Sequence, residues 1–199
     1  MEDKIWTQLQ HAVPNPDATA LAQSRQGIDT WFAQTAPLIQ WDAIETPVGT
    51  LLIAKNKHGI CRVQFGDDLD TFMAILDPKA RTEQSAEALT LVAHQLDEYF
   101  AGDRDAFDVP IDESIMRPFQ RQILTTIRQI PAGQIWTYGQ VAKAIDKPKS
   151  SRAVGRALGT NPVPIIIPCH RIIGSSGKMT GYIGGIDRKR ALLHLEGAL

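Results

Sequence analysis

Three short, strand-like runs with apolar residues stand in the first half of the chain: Trp41–Thr46, Thr50–Lys55 and Gly59–Phe65. Pro47-Val48-Gly49 and Asn56-Lys57-His58 supply turns between them, and the third run alternates toward one face. An antiparallel meander is predicted. In its third strand Cys61, Val63 and Phe65 fall on one face, which makes Cys61 a core thiol rather than a reactive one. Before the meander, residues 1–40 carry Leu21, Ile28, Trp31 and Phe32 at helical spacing, punctuated by Pro14, Pro16 and Pro37. This helical extension brings no recognisable chemistry. After the meander two helices are expected. The second carries Leu89, Val92, Leu96, Tyr99 and Phe100 on one face and stops at Gly102. The acidic, irregular segment Asp103–Ser114 reads as a linker.

The remaining pattern is mostly helical. Pro118 opens a helix whose stripe is Phe119, Ile123, Leu124, Ile127 and Ile130, stopped by Pro131-Ala132-Gly133. A short helix from about Tyr138 to Ile145 and the turn Asp146-Lys147-Pro148-Lys149 follow. Ser150 or Ser151 is then expected to cap a second helix, Arg152–Leu158, closed by Gly159. This is the spacing of a helix-turn-helix. Its second helix sets Ser151, Ala153 and Gly155 among Arg152 and Arg156. Small residues beside arginines suit close approach to a narrow DNA groove, and they equally suit packing on the first helix. Further on, NPVPIIIPCHRII, Asn161–Ile173, reads as a short buried strand that delivers Cys169, His170 and Arg171 out of the core.

Composition narrows the class. The 199 residues carry a net charge of −1, with 43% hydrophobic and 22% charged residues, as in ordinary globular proteins. That balance hides a split. Residues 1–112 hold 8 Lys and Arg against 18 Asp and Glu, and residues 113–199 hold 13 against 4. A basic C-terminal half points to a polyanion, or to attraction between the halves. No run reaches the roughly 18 apolar residues that span a membrane, and the acidic N-terminus lacks a signal peptide's apolar centre. A cytoplasmic protein with reduced thiols is expected. Two cysteines and five histidines without paired spacing predict no metal site.

Cys169 is the candidate for chemistry. A lone cysteine is commonly inert packing, but this one precedes a possible base, His170, and Arg171 adds charge that would favour thiolate. A loop with five glycines, Gly174–Gly185, comes next. Pro168-Cys169-His170-Arg171 resembles the signature of the O6-alkylguanine-DNA alkyltransferases, or methylated-DNA–protein-cysteine methyltransferases. Tyr138-Gly139-Gln140, Ser151-Arg152-Ala153-Val154-Gly155, Asn161-Pro162, Gly181-Tyr182 with Gly184-Gly185, and Glu196-Gly197 support it in order. The resemblance covers about 41–199.

That resemblance implies an α/β (α+β) fold. A helical extension, 1–40, would precede an RNase-H-like domain with an antiparallel sheet, 41–112. A mostly helical catalytic and DNA-binding domain with a helix-turn-helix, 113–199, would follow. It implies direct-reversal repair in a single turnover: Cys169 accepts a methyl or small alkyl group from O6 of guanine, and also from O4 of thymine. His170 would take the thiol proton through a water, Glu196 would orient His170, and Asn161 would support the nucleophile's turn. Tyr138 would donate to the departing guanine. Arg152 would fill the stack as the base turns out from the minor-groove side, with Ser151, Ala153, Gly155 and Arg156 on the DNA face. Tyr182, Ile183, Ile172 and Gly184 would wall the alkyl pocket. Ile183 replaces a serine carried by some members, which makes that wall more apolar. No cofactor is implied, and the expected state is a monomer on double-stranded DNA. Two other classes fit parts of the pattern: a lesion-binding protein without transfer, and a cysteine hydrolase using Cys169 and His170.

Overall fold

A computed structural model describes residues 17–199. They fall into two compact units, one ending at Pro37 and the other running from Leu38 to Leu199. The first holds helix α1, Ala18–Thr35, begun where Asp17 Oδ1 accepts from the Ala20 amide at 2.6 Å. Leu21, Ile28 and Trp31 lie exposed on it. The expected helical pattern before Asp17, with Pro14 and Pro16, falls outside the described residues.

The second unit opens with the predicted meander: β1 (Leu38–Ile44), β2 (Leu51–Asn56) and β3 (Gly59–Phe65), antiparallel throughout. A fourth strand, β4 (Arg81–Gln84), pairs parallel to β1 and gives the order β3-β2-β1-β4, so the sheet is mixed. Its residues are RTEQ, all exposed, and no hydrophobic period could announce it. Helices α2 (Leu69–Ala74) and α3 (Ala86–Ala101) flank it, with Ser85 capping α3 and Gly102 ending it at φ +83°. One face of the sheet offers Leu51, Ile53 and Val63 to the main core, against Leu89, Val92 and Leu96 of α3. The other face holds Ile39, Leu52, Ala54, Cys61 and Phe72.

Cys61 is a core thiol as expected, but on the opposite face from Val63. The pairing slips between Ala54 and Lys55, and this bulge turns Cys61 to the other side of the sheet. Burial pushes its pKa up to about 11, so it stays protonated.

The C-terminal half contains α4 (Pro118–Ile127), α5 (Tyr138–Ala144), α6 (Ser151–Leu158) and α7 (Ile186–Leu195). Two residues of β5, Trp136–Thr137, pair parallel to β6, Ile172–Ile173. Of the predicted stripe Ile123, Leu124, Ile127 and Ile130 are fully buried, and Phe119 packs on their margin. Helices α5 and α6 form the helix-turn-helix, α5 closed at its start by a capping box between Thr137 and Gln140. Ser150 occupies the N-cap position of α6, yet its side chain makes no capping bond, contrary to the expected serine cap.

The run Ile165–Ile167 does not form the expected strand. Pro162, Pro164 and Pro168 lack amide protons for a ladder. The chain turns instead, with Ile165 at φ +72° and the Ile167 amide on Val163 O at 2.9 Å. A 3-10 turn, Cys169–Arg171, follows directly. Every residue from 161 to 172 is buried. Burial from all sides makes a compact turn as apolar as a strand would be.

Among the described residues, no helix is long and apolar enough to cross a membrane, and no group of His, Cys, Asp and Glu could hold a metal.

Candidate active site

The turn after α6 holds Cys169. Asn161, fully buried, accepts from the Val163 amide at 3.1 Å. Its Nδ2 donates to Ile167 O at 3.0 Å and to Cys169 Sγ at 3.1 Å. The sheet braces this turn through the Val63 amide, which donates to Pro162 O at 2.8 Å. Asn161 therefore both shapes the turn and touches the sulfur.

Cys169 is 6% exposed. Burial pushes its thiol up to about 11, opposed by the Asn161 hydrogen bond and by the charge of Lys189. At rest the thiol is protonated, so any chemistry at the sulfur requires a base.

His170 is fully buried beside it in sequence. Its Nε2 lies 2.9 Å from Glu196 Oε1. An ionised carboxylate only accepts, so Nε2 carries the proton and Nδ1 is the basic nitrogen. Nδ1 has no hydrogen-bond partner among the described residues. Burial holds the imidazole below its ordinary 6.5 against the pull of Glu196, which keeps it neutral and able to accept.

Glu196 follows α7 directly, its side chain 2% exposed. Burial would raise its pKa, but hydrogen bonds from His170 and Arg171 outweigh that and hold it at about 2. Arg171 does not leave the core as expected. It is 4% exposed and binds Glu196 through both oxygens, Nε to Oε2 at 2.9 Å and Nη2 to Oε1 at 2.7 Å. Its other donors reach the Ile130 and Asp105 carbonyls. Arg171 thus serves the carboxylate, and the cation that favours thiolate is Lys189. This lysine is 1% exposed, with Nζ donating to Ile172 O and Thr180 O. Its signal in the sequence is position: it occupies the inward stripe of α7 with Ile186, Leu192 and Leu193, where an apolar residue belongs.

The glycine loop closes over this group. Tyr182 packs edge-on against His170 at 6.4 Å and against Phe65 of β3 at 5.7 Å between ring centroids. Its hydroxyl is buried without a partner among the described residues. Gly184 lies beneath Phe65, where a Cβ would stand 2.6 Å from the ring. Arg188 fixes the loop by donating to Val48 O at 2.7 Å and to Gly184 O at 3.1 Å. Of the other two residues expected in the pocket wall, Ile183 is 48% exposed and Ile172 is fully buried in the same core cluster as Cys169.

The remaining expected residues meet at the surface. Tyr138, Ser151, Arg152 and Gly155 line a cavity of about 460 Å³ between the helix-turn-helix and the loop carrying Gly174, Ser175 and Thr180. Tyr138 Oη lies 2.8 Å from Thr180 Oγ1, a partner the sequence did not signal. Gly155 faces the Tyr138 ring, where a Cβ would stand 3.6 Å away, an ordinary contact. Arg152 is exposed and makes no hydrogen bond or ion pair among the described residues. Arg156 is exposed beyond the cavity lining, and Ala153 is half-buried.

Such an arrangement can activate a buried thiol for displacement at a small carbon while holding a planar group beside Tyr138. Comparison with known proteins agrees. The family model for the 6-O-methylguanine DNA methyltransferase ribonuclease-like domain matches residues 39–113, and that for the DNA binding domain matches 118–198. A methylated-DNA–protein-cysteine methyltransferase of Methanosarcina acetivorans is 41% identical over 154 residues, 77% of this chain and 96% of that protein. One from Shigella flexneri is 39% identical over 163 residues, 79% and 95% of the two chains. The crystal structure of Mycobacterium tuberculosis OGT in complex with DNA matches with a TM-score of 0.69 at 38% identity, covering 79% of this chain and 92% of that one.

Proposed function

The chain belongs to the 6-O-methylguanine DNA methyltransferase family, and we propose that Cys169 is its methyl acceptor, served by His170, Glu196 and Asn161. The activity is direct-reversal repair, with a methyl group moving from DNA to a protein cysteine. In the proposed step the Cys169 proton passes through a water to His170 Nδ1. The sulfur then attacks the alkyl carbon in line: the S–C bond forms, and the bond between that carbon and guanine O6 breaks. Glu196 stabilises the imidazolium. Tyr138 donates a hydrogen bond to the departing guanine anion, which takes a proton from water to regain its ordinary neutral form, while His170 returns the thiol's proton to water. The thioether has no cheap leaving group, so each chain reacts once.

The observation that carries this reading is the contact of Asn161 with a buried Cys169 thiol whose sequence neighbour, His170, is already paired with Glu196. A purely structural cysteine needs neither. The substrate is double-stranded DNA bearing O6-alkylguanine, approached from the minor groove by α6. Its half-buried Ala153 and Gly155 permit close backbone approach, and the exposed Arg152 and Arg156 meet phosphates or the opened stack. A target inside the duplex has to be turned out of it. The cavity beside Tyr138 is where the flipped base would enter. The protein acts as a monomer, in the cytoplasm, on chromosomal DNA.

The test is product analysis after mixing with a duplex containing one O6-methylguanine. Restored guanine in an amount that stops at one per protein chain is expected. Methanol release with continued turnover would identify a hydrolase instead.

A further inference from the structure

We infer that Tyr99, on α3 in the first half of the second unit, is a positioning residue of the relay: its hydroxyl fixes Glu196 Oε1 and sets how firmly that carboxylate holds the proton on His170. The inference rests on the proposed roles of Cys169, His170 and Glu196. Tyr99 Oη donates to Glu196 Oε1 at 2.7 Å across 97 residues of sequence. Tyr99 is 2% exposed, and its ring is held between Phe100 and Phe107, with centroids 5.2 and 5.3 Å away. Burial, followed by the neighbouring Glu196 charge, raises its pKa, so the phenol remains a donor.

Oε1 is crowded. It accepts from Tyr99, from His170 Nε2 and from Arg171 Nη2, while Oε2 takes Arg171 Nε. Each donor draws charge from an oxygen that would otherwise lend it to the imidazole. A neutral phenol does so without adding a positive charge beside His170. It therefore tempers the carboxylate and helps keep His170 unprotonated until the thiol proton arrives. The other charged groups that face this site are Arg171 and Lys189, which oppose imidazole protonation, and Asp105, which lies near Tyr99. Tyr182 contributes a neutral ring edge. Through Tyr99 the ribonuclease-like half touches the reacting machinery.

The test compares pH–rate profiles of methyl transfer for the full chain and for Tyr99→Phe, which keeps the ring between Phe100 and Phe107. Losing one donor should raise the midpoint of the acid limb by about half to one pH unit. Phe107→Leu loosens the same packing and leaves the hydroxyl, so it should lower the melting temperature without moving that limb. An unmoved limb in Tyr99→Phe, or an equal shift in Phe107→Leu, overturns the inference. Titration of His170 by NMR in both variants reads the same quantity without transfer. Failure of the unaltered chain to transfer would instead overturn the proposed function.

Discussion

Asn161 Nδ2 stands 3.1 Å from Cys169 Sγ while also holding the Ile167 carbonyl at 3.0 Å, so one amide joins the thiol to the turn that presents it. Replacing Asn161 by alanine leaves the buried Val163 amide without a partner, at about 1–3 kcal/mol, while Ile167 O keeps the Cys169 amide at 2.8 Å. Denaturant unfolding of Asn161→Ala should show a loss of about 1–3 kcal/mol. Transfer should also slow under conditions where the variant remains folded, because the thiolate loses its donor. A variant as stable and as fast as the parent would remove Asn161 from the site.

Acid should destabilise the fold in two windows of the same sign. His170 is held below 6.5, so the unfolded chain takes up its proton first, and stability falls as pH drops through 6.5. Glu196 is held at about 2 against an ordinary 4.5. Its contribution is complete above about 4.5 and is lost as pH falls from there toward 2. Melting temperatures should therefore decline from near neutrality downward. Glu196→Gln should be less stable at pH 7 and flatter below 4.5; an equally steep decline would show that other carboxylates dominate.

Arg152 has no partner among the described residues and lies exposed at the cavity mouth. Arg152→Ala should change stability by less than about 0.5 kcal/mol. Repair of methylated duplex should nevertheless fall sharply, while reaction with free O6-alkylguanine base stays near the parent rate. Equal losses on both substrates would refute a role in opening the duplex.

Much of this was legible in sequence where a local rule governs it. The meander followed from short apolar runs and turns, the helix-turn-helix from short helices around Asp146-Lys147-Pro148-Lys149, and the pairing of His170 with Glu196 beside Cys169 from a resemblance carried by ordered motifs. The parts that were not legible depend on tertiary contacts. β4 is all polar and exists because β1 has a free edge. Cys61 changed faces through a bulge. Ile165–Ile167 looks like a strand because burial on all sides erases the period that would distinguish strand from turn. Arg171 turned inward because Glu196, 25 residues on, needs compensating donors. Lys189, Tyr99 and Thr180 carry no motif; each is defined by the atom it meets.

The central claim, that Cys169 itself accepts the alkyl group, is tested most directly by intact-protein mass and peptide mapping after reaction with excess methylated duplex. One added CH2 per chain, on the peptide containing Cys169 and absent from Cys169→Ser, is the predicted result. An unmodified Cys169, or the added mass on Cys61, would contradict it.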